Sequence, residues 1–489
     1  MHFADLLDVR ANANPTGSAL ADEHNGVLSN ADVLARIDAT AARLSDAGVR
    51  RGDVVAVKLP NRIELVTTVF AAWKLGAAVT PVNPSLTPNE VAFQLTDSAA
   101  RMVVTDTAEQ HDRIAVLTLA DLAVADPPAV LPDVPRPAEA VALLVYTSGT
   151  TGRPKGVELT HTNLMAMAQG INEAMNSGPD THSLLILPLF HVNGIVVSVL
   201  APLLAGGQTT ITGRFDPRRF FDLVAQHRPT FFSAVPTIYS MLAALPAEVA
   251  PDTSSLRFAI CGAAPMPPQL IEAFEDRYGV PIIEGYGLSE GTCASTTNPL
   301  NGIRKPGTVG LALPGQQIAI LDGQRVPVAA GTPGEVAIAG PTVMRGYLNR
   351  PQETAETIVD GWLHTGDIGF LDADGYLTLV DRAKDMIIRG GENIYPKEIE
   401  SVLYTHPGVR EAAVVGRPDP VYGQMPVAFV TSRSESNLSA DVLVAHLAQS
   451  LAKYKRPEVI VADEIPKNPV GKIDKPALRR RFTSPSTAV

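Results

Sequence analysis

Between Tyr146 and Val157 the chain reads Tyr-Thr-Ser-Gly-Thr-Thr-Gly-Arg-Pro-Lys-Gly-Val, a tract of glycines, hydroxyls and one lysine suited to holding an anion. Gly149, Gly152 and Gly156 let main chain come close to a ligand, the hydroxyls of Thr147, Ser148, Thr150 and Thr151 can donate to phosphate oxygens, and Lys155 supplies a compact positive charge. Such a loop can wrap a polyphosphate. It is not a Walker A loop, because it holds no Gly-Lys pair followed by Ser or Thr. A Gly/Thr-rich tract standing alone is more often a solvated surface loop, so the reading needs support from the rest of the chain.

A loop with this task needs a rigid strand behind it. Val141-Ala142-Leu143-Leu144-Val145 directly precedes the tract and reads as a buried strand. From Ala31 to about Leu200, helical stretches alternate with similar short runs. Val54-Val55-Ala56-Val57 and Arg101-Met102-Val103-Val104 read as strands and Glu64 to Leu75 as a helix, which predicts parallel βαβ units. After about Leu311 the texture turns to short strands and tight turns, such as Gln317-Ile318-Ala319-Ile320-Leu321 and Gly334-Glu335-Val336-Ala337-Ile338. Farther on, Pro396 to Thr405 reads as helix, Ala412 to Val415 as strand and Ala440 to Lys453 as helix. The predicted fold class is α/β. A large N-terminal domain of parallel βα layers spans residues 1–382, with a β-rich subdomain at about 311–380, and a small α+β domain spans 383–489.

At 489 residues the chain is too long for one comfortable core, and 45% hydrophobic with 19% charged residues is a globular balance. A net charge of −11 argues against broad capture of nucleic acid or anionic membrane, so anionic ligands must be met locally. Only Cys261 and Cys293 are present, too few for a disulfide framework, and no basic run followed by an apolar stretch opens the chain at Met1. Cytoplasmic residence is the expectation. The most apolar stretch, Ser183 to Leu204, is broken by Pro188, His191, Asn193, Gly194 and Pro202, which a lipid-facing span would tolerate poorly. No transmembrane segment is expected.

The tract from Thr147 to Val157 resembles the phosphate-binding signature of the adenylate-forming (AMP-binding) superfamily, and further motifs of that family follow in order. Leu187-Pro188-Leu189-Phe190-His191 is similar to the segment at the carboxylate end of the acyl pocket, where the resemblance implies a role for the His191 ring. Cys261-Gly262-Ala263-Ala264-Pro265, then Glu284-Gly285-Tyr286-Gly287-Leu288-Ser289-Glu290, look like the acyl and adenine motifs. There Tyr286 could stack on a purine, and Glu290 is a hard oxygen ligand suited to Mg2+, with Thr147 as a second metal contact. His364-Thr365-Gly366-Asp367 resembles the ribose motif, with Arg382 in Asp381-Arg382-Ala383-Lys384-Asp385 as a second ribose contact and Lys384 at the family's hinge position. Asp381 stands where many relatives have glycine. Gly390 and Gly391 resemble the stretch lining the pantetheine tunnel, and Lys472, in Pro466 to Lys475, matches the catalytic lysine near the C-terminus.

The resemblance implies a two-step ligase with ATP, Mg2+ and coenzyme A as cofactors and a small-molecule carboxylic acid as substrate. The acid attacks the α-phosphate of ATP with Lys472 steadying the charge, pyrophosphate leaves, and the mobile small domain turns about Lys384 to let coenzyme A attack the acyl-AMP. The motif neighbourhood (Val235-Pro236-Thr237, Ala263, Leu288) is mostly apolar, which favours a medium-chain, long-chain or aromatic acid. A small oxalate- or malonate-like acid is the alternative, although malonate-type relatives carry an arginine where this chain has Gly285. Loading of a carrier protein, a luciferase-like oxygenase and a non-catalytic nucleotide sensor are the remaining readings. No carrier domain with an attachment serine is evident after Lys472, and an intact lysine motif argues against a sensor.

Overall fold

The computed structural model describes residues 2–107, 114–122, 131, 134–147, 154–264, 266–382, 385–389, 392–433, 438–467 and 473–482. The chain divides into two compact units. The first comprises Met1–Ile318 and Ala337–His364, the second Ala319–Val336 and Thr365–Val489.

Two sheets organise the first unit. One has seven strands in the order Gly346–Tyr347, Lys155–Thr160, Val141–Thr147, Ala78–Pro81, Val54–Lys58, Met102–Thr105 and Ala115–Thr118. Its five strands from Val141–Thr147 to Ala115–Thr118 run parallel, as the βαβ pattern predicts, while Lys155–Thr160 folds back antiparallel on Val141–Thr147. The other has nine strands, including a parallel run of Ile282–Tyr286, Phe258–Cys261, Phe231–Ala234 and His182–Leu185.

The helix Ile63–Lys74 touches strands of both sheets and buries nearly every side chain, Trp73 included, whose indole N–H donates to Ala142 O at 2.9 Å. Its sequence, Ile-Glu-Leu-Val-Thr-Thr-Val-Phe-Ala-Ala-Trp-Lys, is apolar on more than one face, as a helix between two layers requires. Local signals set the ends of elements near the phosphate tract. Thr160 caps the helix His161–Ala174 with a reciprocal pair, Asn163 N–H to Thr160 Oγ1 at 3.1 Å and Thr160 N–H to Asn163 Oδ1 at 2.8 Å. The apolar stretch Ser183 to Leu204 becomes strand, turn and helix. No described helix is long and apolar enough to cross a membrane.

In the second unit Trp362–Leu371 contributes its later residues to an antiparallel pair with Leu377–Arg382. The unit's other sheet is built on the long hairpin Val409–Asp419 and Gly423–Ser432, with the helices Pro396–Tyr404 and Ala440–Ser450 packed on a core of Ile387, Ile399, Leu403, Val414, Val430 and Leu447. This unit begins earlier in the chain than residue 383. The reason is local: Lys397 donates its N–H to Asp381 Oδ2 at 2.8 Å and its ammonium to Leu379 O at 2.7 Å, tying the Leu377–Arg382 strand to the Pro396–Tyr404 helix.

Candidate active site

The phosphate tract spans the open end of a hairpin. Thr147 and Lys155 are register partners, and the segment between them holds Ser148, Gly149, Thr150, Thr151 and Gly152, which lie outside the described residues. Gly156 is needed for packing, since a Cβ there would sit 3.2 Å from the Tyr146 ring and 3.3 Å from Leu348 Cβ. The Lys155 ammonium ion-pairs with Glu353 and lies 4.9 Å from the centre of the Tyr347 ring. Tyr347 in turn donates its hydroxyl to Glu290 Oε1 at 2.9 Å. The lysine expected to meet phosphate and the carboxylate expected to meet metal are therefore two neighbours of one aromatic ring.

Their elements explain this placement. Gly346–Tyr347 pairs with Lys155–Thr160, putting Tyr347 opposite Val157, and Met344 N–H donates to Glu290 O at 2.8 Å, anchoring the turn Ser289–Gly291 beside the same strand. Burial and the Glu290 carboxylate push the Tyr347 phenol up, which keeps it a donor, while the Lys155 hydrogen bond holds the Glu353 carboxyl below the usual carboxylate range.

The other motifs of this unit gather along one sheet edge. His182–Leu185, Phe231–Ala234, Phe258–Cys261 and Ile282–Tyr286 are parallel neighbours, and the chain leaves their carboxyl ends as Leu187 to His191, Val235 to Thr237, Gly262 to Ala264 and Tyr286 to Glu290. In open α/β sheets that edge is where ligands bind. Ala263 there has φ +67, a left-handed conformation an L-residue adopts only under constraint, and both Ala263 and Ala264 are exposed. Glu284 is buried and Gly285 partly so. Gly287 has an internal reason to be glycine, because a Cβ would fall 2.0 Å from Cys293 O.

His191 follows a segment held by a residue that sequence reasoning missed. The Asn61 amide donates to Leu187 O at 2.9 Å and accepts from Leu189 N–H at 2.8 Å, a two-bond clamp. The His191 ring packs on Phe190 at 4.6 Å, and the chain then enters an uncommon π-helix, Asn193–Leu200. Gly194 permits the close entry, since a Cβ would lie 2.6 Å from Pro188 O. The Asn61 signal was a polar turn, Pro60-Asn61-Arg62, before a buried helix, which alone does not name its distant partner.

In the second unit Asp367 is buried and faces Arg382 across the antiparallel pair as its register partner. Thr365 Oγ1 accepts from Asp367 N–H at 3.1 Å and donates to Val336 O at 2.7 Å, fixing the turn at Gly366. Lys384, Gly390, Gly391 and Lys472 lie outside the described residues. Their flanks are ordered by pairing. Ile387–Arg389 pairs with Glu392–Ile394 on either side of the two glycines, Lys467 bridges Ile473 around the lysine segment, and Arg479 pairs with Asp385 at 2.6 Å just after the hinge position.

The donor set fits the groups the motifs call for. Glu290 offers Mg2+, which needs few protein ligands, a hard carboxylate oxygen, and Lys155 offers phosphate a partly buried cation; among the described residues no group of three or more His, Cys, Asp or Glu could hold a metal ion by itself. Burial holds the Cys261 thiol well above its ordinary value and pushes Cys293 up to about 12, so neither offers a thiolate nucleophile at neutral pH.

Comparison with known proteins agrees. Residues 7–348 match the model of the AMP-binding enzyme family, and residues 398–472 that of the AMP-binding enzyme C-terminal domain. A feruloyl-CoA synthase of Amycolatopsis sp. is 38% identical over 97% of each chain, and a sulfoacetate–CoA ligase of Cupriavidus necator is 37% identical over 97% of this chain and 96% of its own. The crystal structure of ATP-bound MatB from Rhodopseudomonas palustris superposes with a TM-score of 0.92 at 32% identity, covering 99% of both chains. On these grounds the chain belongs to the AMP-binding enzyme family and is an acid–thiol ligase that uses ATP, Mg2+ and coenzyme A.

Proposed function

We propose that the protein makes an acyl-CoA in two steps, from an aromatic or a medium- to long-chain carboxylic acid. The observation that carries the nucleotide half of the reading is the Lys155–Tyr347–Glu290 arrangement, in which a cation and a hard carboxylate flank one ring beside the phosphate hairpin. Lys155, Thr147 and the 148–152 segment hold the departing phosphates, and Glu290 with Thr147 holds Mg2+, which would offset phosphate charge. Asp367 and Arg382 take the ribose hydroxyls, while Gly262 to Ala264 and Glu284 to Ser289, Tyr286 above all, frame the adenine and acyl groups. Lys472 compensates the two anions that meet as carboxylate attacks the α-phosphate, a step of positioning and charge rather than covalent enzyme chemistry. Once the small domain has turned about Lys384, Gly390 and Gly391 border the path of the thiol.

The apolar character of the neighbouring side chains and a relative named for feruloyl-CoA support an aromatic or aliphatic acid. A relative named for sulfoacetate keeps a small acid as the second reading. A cytoplasmic location goes with this function and with two free thiols. The test is AMP release with coenzyme A across hydroxycinnamates, fatty acids of graded length, oxalate, malonate and sulfoacetate. A kcat/KM highest for the small dianions would overturn the substrate proposal.

A further inference from the structure

The lysine that is to meet polyphosphate already has an anion. Glu353, in the first turn of the helix Pro351–Thr357, pairs with Lys155, and Arg350 Nη1 lies 3.2 Å from the same carboxylate. Lys155 and Glu353 side chains are 14% and 31% exposed, so the pair is open enough to water to be exchanged. The helix carrying Glu353 has seven residues, none of them buried, and is tied to the neighbouring strand by Tyr347 N–H donating to Thr354 Oγ1 at 2.9 Å, so exchange needs only the Glu353 side chain to turn away. Arg350 Nε is buried without a hydrogen-bond partner, so the neighbouring cation has unspent donor capacity. A carboxylate and a phosphate cannot share one ammonium without repelling each other.

We infer that Glu353 is a resident counter-ion of Lys155, holding the charge that the phosphates of the nucleotide take over on binding, and that it thereby sets nucleotide affinity. The inference rests on the reading of Lys155 as a phosphate contact. A purely supporting carboxylate would have the opposite effect, since its loss would let Lys155 wander and weaken binding.

The experiment is calorimetric titration of the full chain with inorganic tripolyphosphate, without acid or metal. Glu353→Gln, nearly the same shape, should bind roughly three- to tenfold tighter than wild type, and Glu353→Asp should stay nearer to wild type. In a Lys155→Met background the gain from Glu353→Gln should shrink to about twofold or less, because the effect runs through the lysine. Unchanged or weaker binding by Glu353→Gln, with an unaltered melting temperature, would overturn the counter-ion. Absence of tripolyphosphate binding to the wild-type chain would instead overturn the phosphate reading of Lys155, and the counter-ion with it.

Discussion

Two ionic clusters in this molecule use the same residue types to different ends. Around Lys155 the carboxylate of Glu353 meets, among the described residues, two cationic side chains, Lys155 and Arg350. In the second unit Lys475 pairs with Glu400 at 2.8 Å, and Glu400 also accepts from Val414 N–H at 2.7 Å. Asp381 is likewise bonded by Lys397 N–H. A carboxylate tied to backbone donors cannot leave without orphaning buried main chain, so that cluster is built to hold. One tied to cationic side chains alone can be replaced by a ligand. Backbone partners, more than distance, separate a structural ion pair from an exchangeable one.

The largest expected effect sets both clusters against the proposed catalytic lysine, which lies outside the described residues. Lys472→Ala should lower acid-dependent exchange between pyrophosphate and ATP by roughly a hundred- to a thousandfold while largely sparing thioester formation from pre-made acyl-AMP. Exchange within about tenfold of wild type, roughly 1.4 kcal/mol, would return Lys472 to the class of surface charges. Gly391→Leu should slow acyl transfer to coenzyme A by roughly a hundredfold and leave pyrophosphate exchange within a few-fold, because on the proposed reading an isobutyl group would stand in the thiol path. Loss of both half-reactions together would mean misfolding.

Smaller effects probe the clusters themselves. Lys475→Met should cost about 2 kcal/mol in urea unfolding, since it strands the Glu400 carboxylate, whereas Glu353→Gln should stay within about 0.5 kcal/mol. Equal losses would erase the distinction between holding and exchangeable pairs. Glu290→Gln should raise the magnesium concentration needed for half-maximal adenylation by about tenfold, with activity recovering at high magnesium. An unchanged magnesium requirement would leave Glu290 as no more than the hydrogen-bond partner of Tyr347.

What the sequence revealed, and what it hid, follows from chain distance. Strands at Val54–Lys58, Met102–Thr105 and Val141–Thr147 and helices at Ile63–Lys74 and Pro396–Tyr404 stand close to where periodicity places them, because each is decided by neighbours within a few residues. The phosphate tract and the Glu284 to Glu290 motif stood out through family resemblance, as contiguous runs of residue types. The Asn61 clamp was not, since its partners are 126 and 128 residues away. Nor was Tyr347, which reaches Glu290 across 57 residues, or Glu353, whose Pro-Gln-Glu-Thr-Ala-Glu-Thr helix has the composition of a solvated surface. Family resemblance located one end of each of these contacts, Leu187 and Leu189, Glu290 and Lys155, without the partner at the other.

The π-helix after His191 can be viewed as a numerical surplus. Widening Asn193–Leu200 stores extra chain in a helical segment that an ordinary α-helix would span with fewer residues. Deleting a single residue, such as Val196, would let the segment relax toward 3.6 residues per turn with its two ends keeping nearly their relative orientation, because the wide turns are what hold the extra residue. His191, behind the hold of Asn61 on Leu187 and Leu189, would then keep its direction. Loss of one residue there is thus absorbed within the helix, and the surplus insulates the orientation of that imidazole from such a change in length.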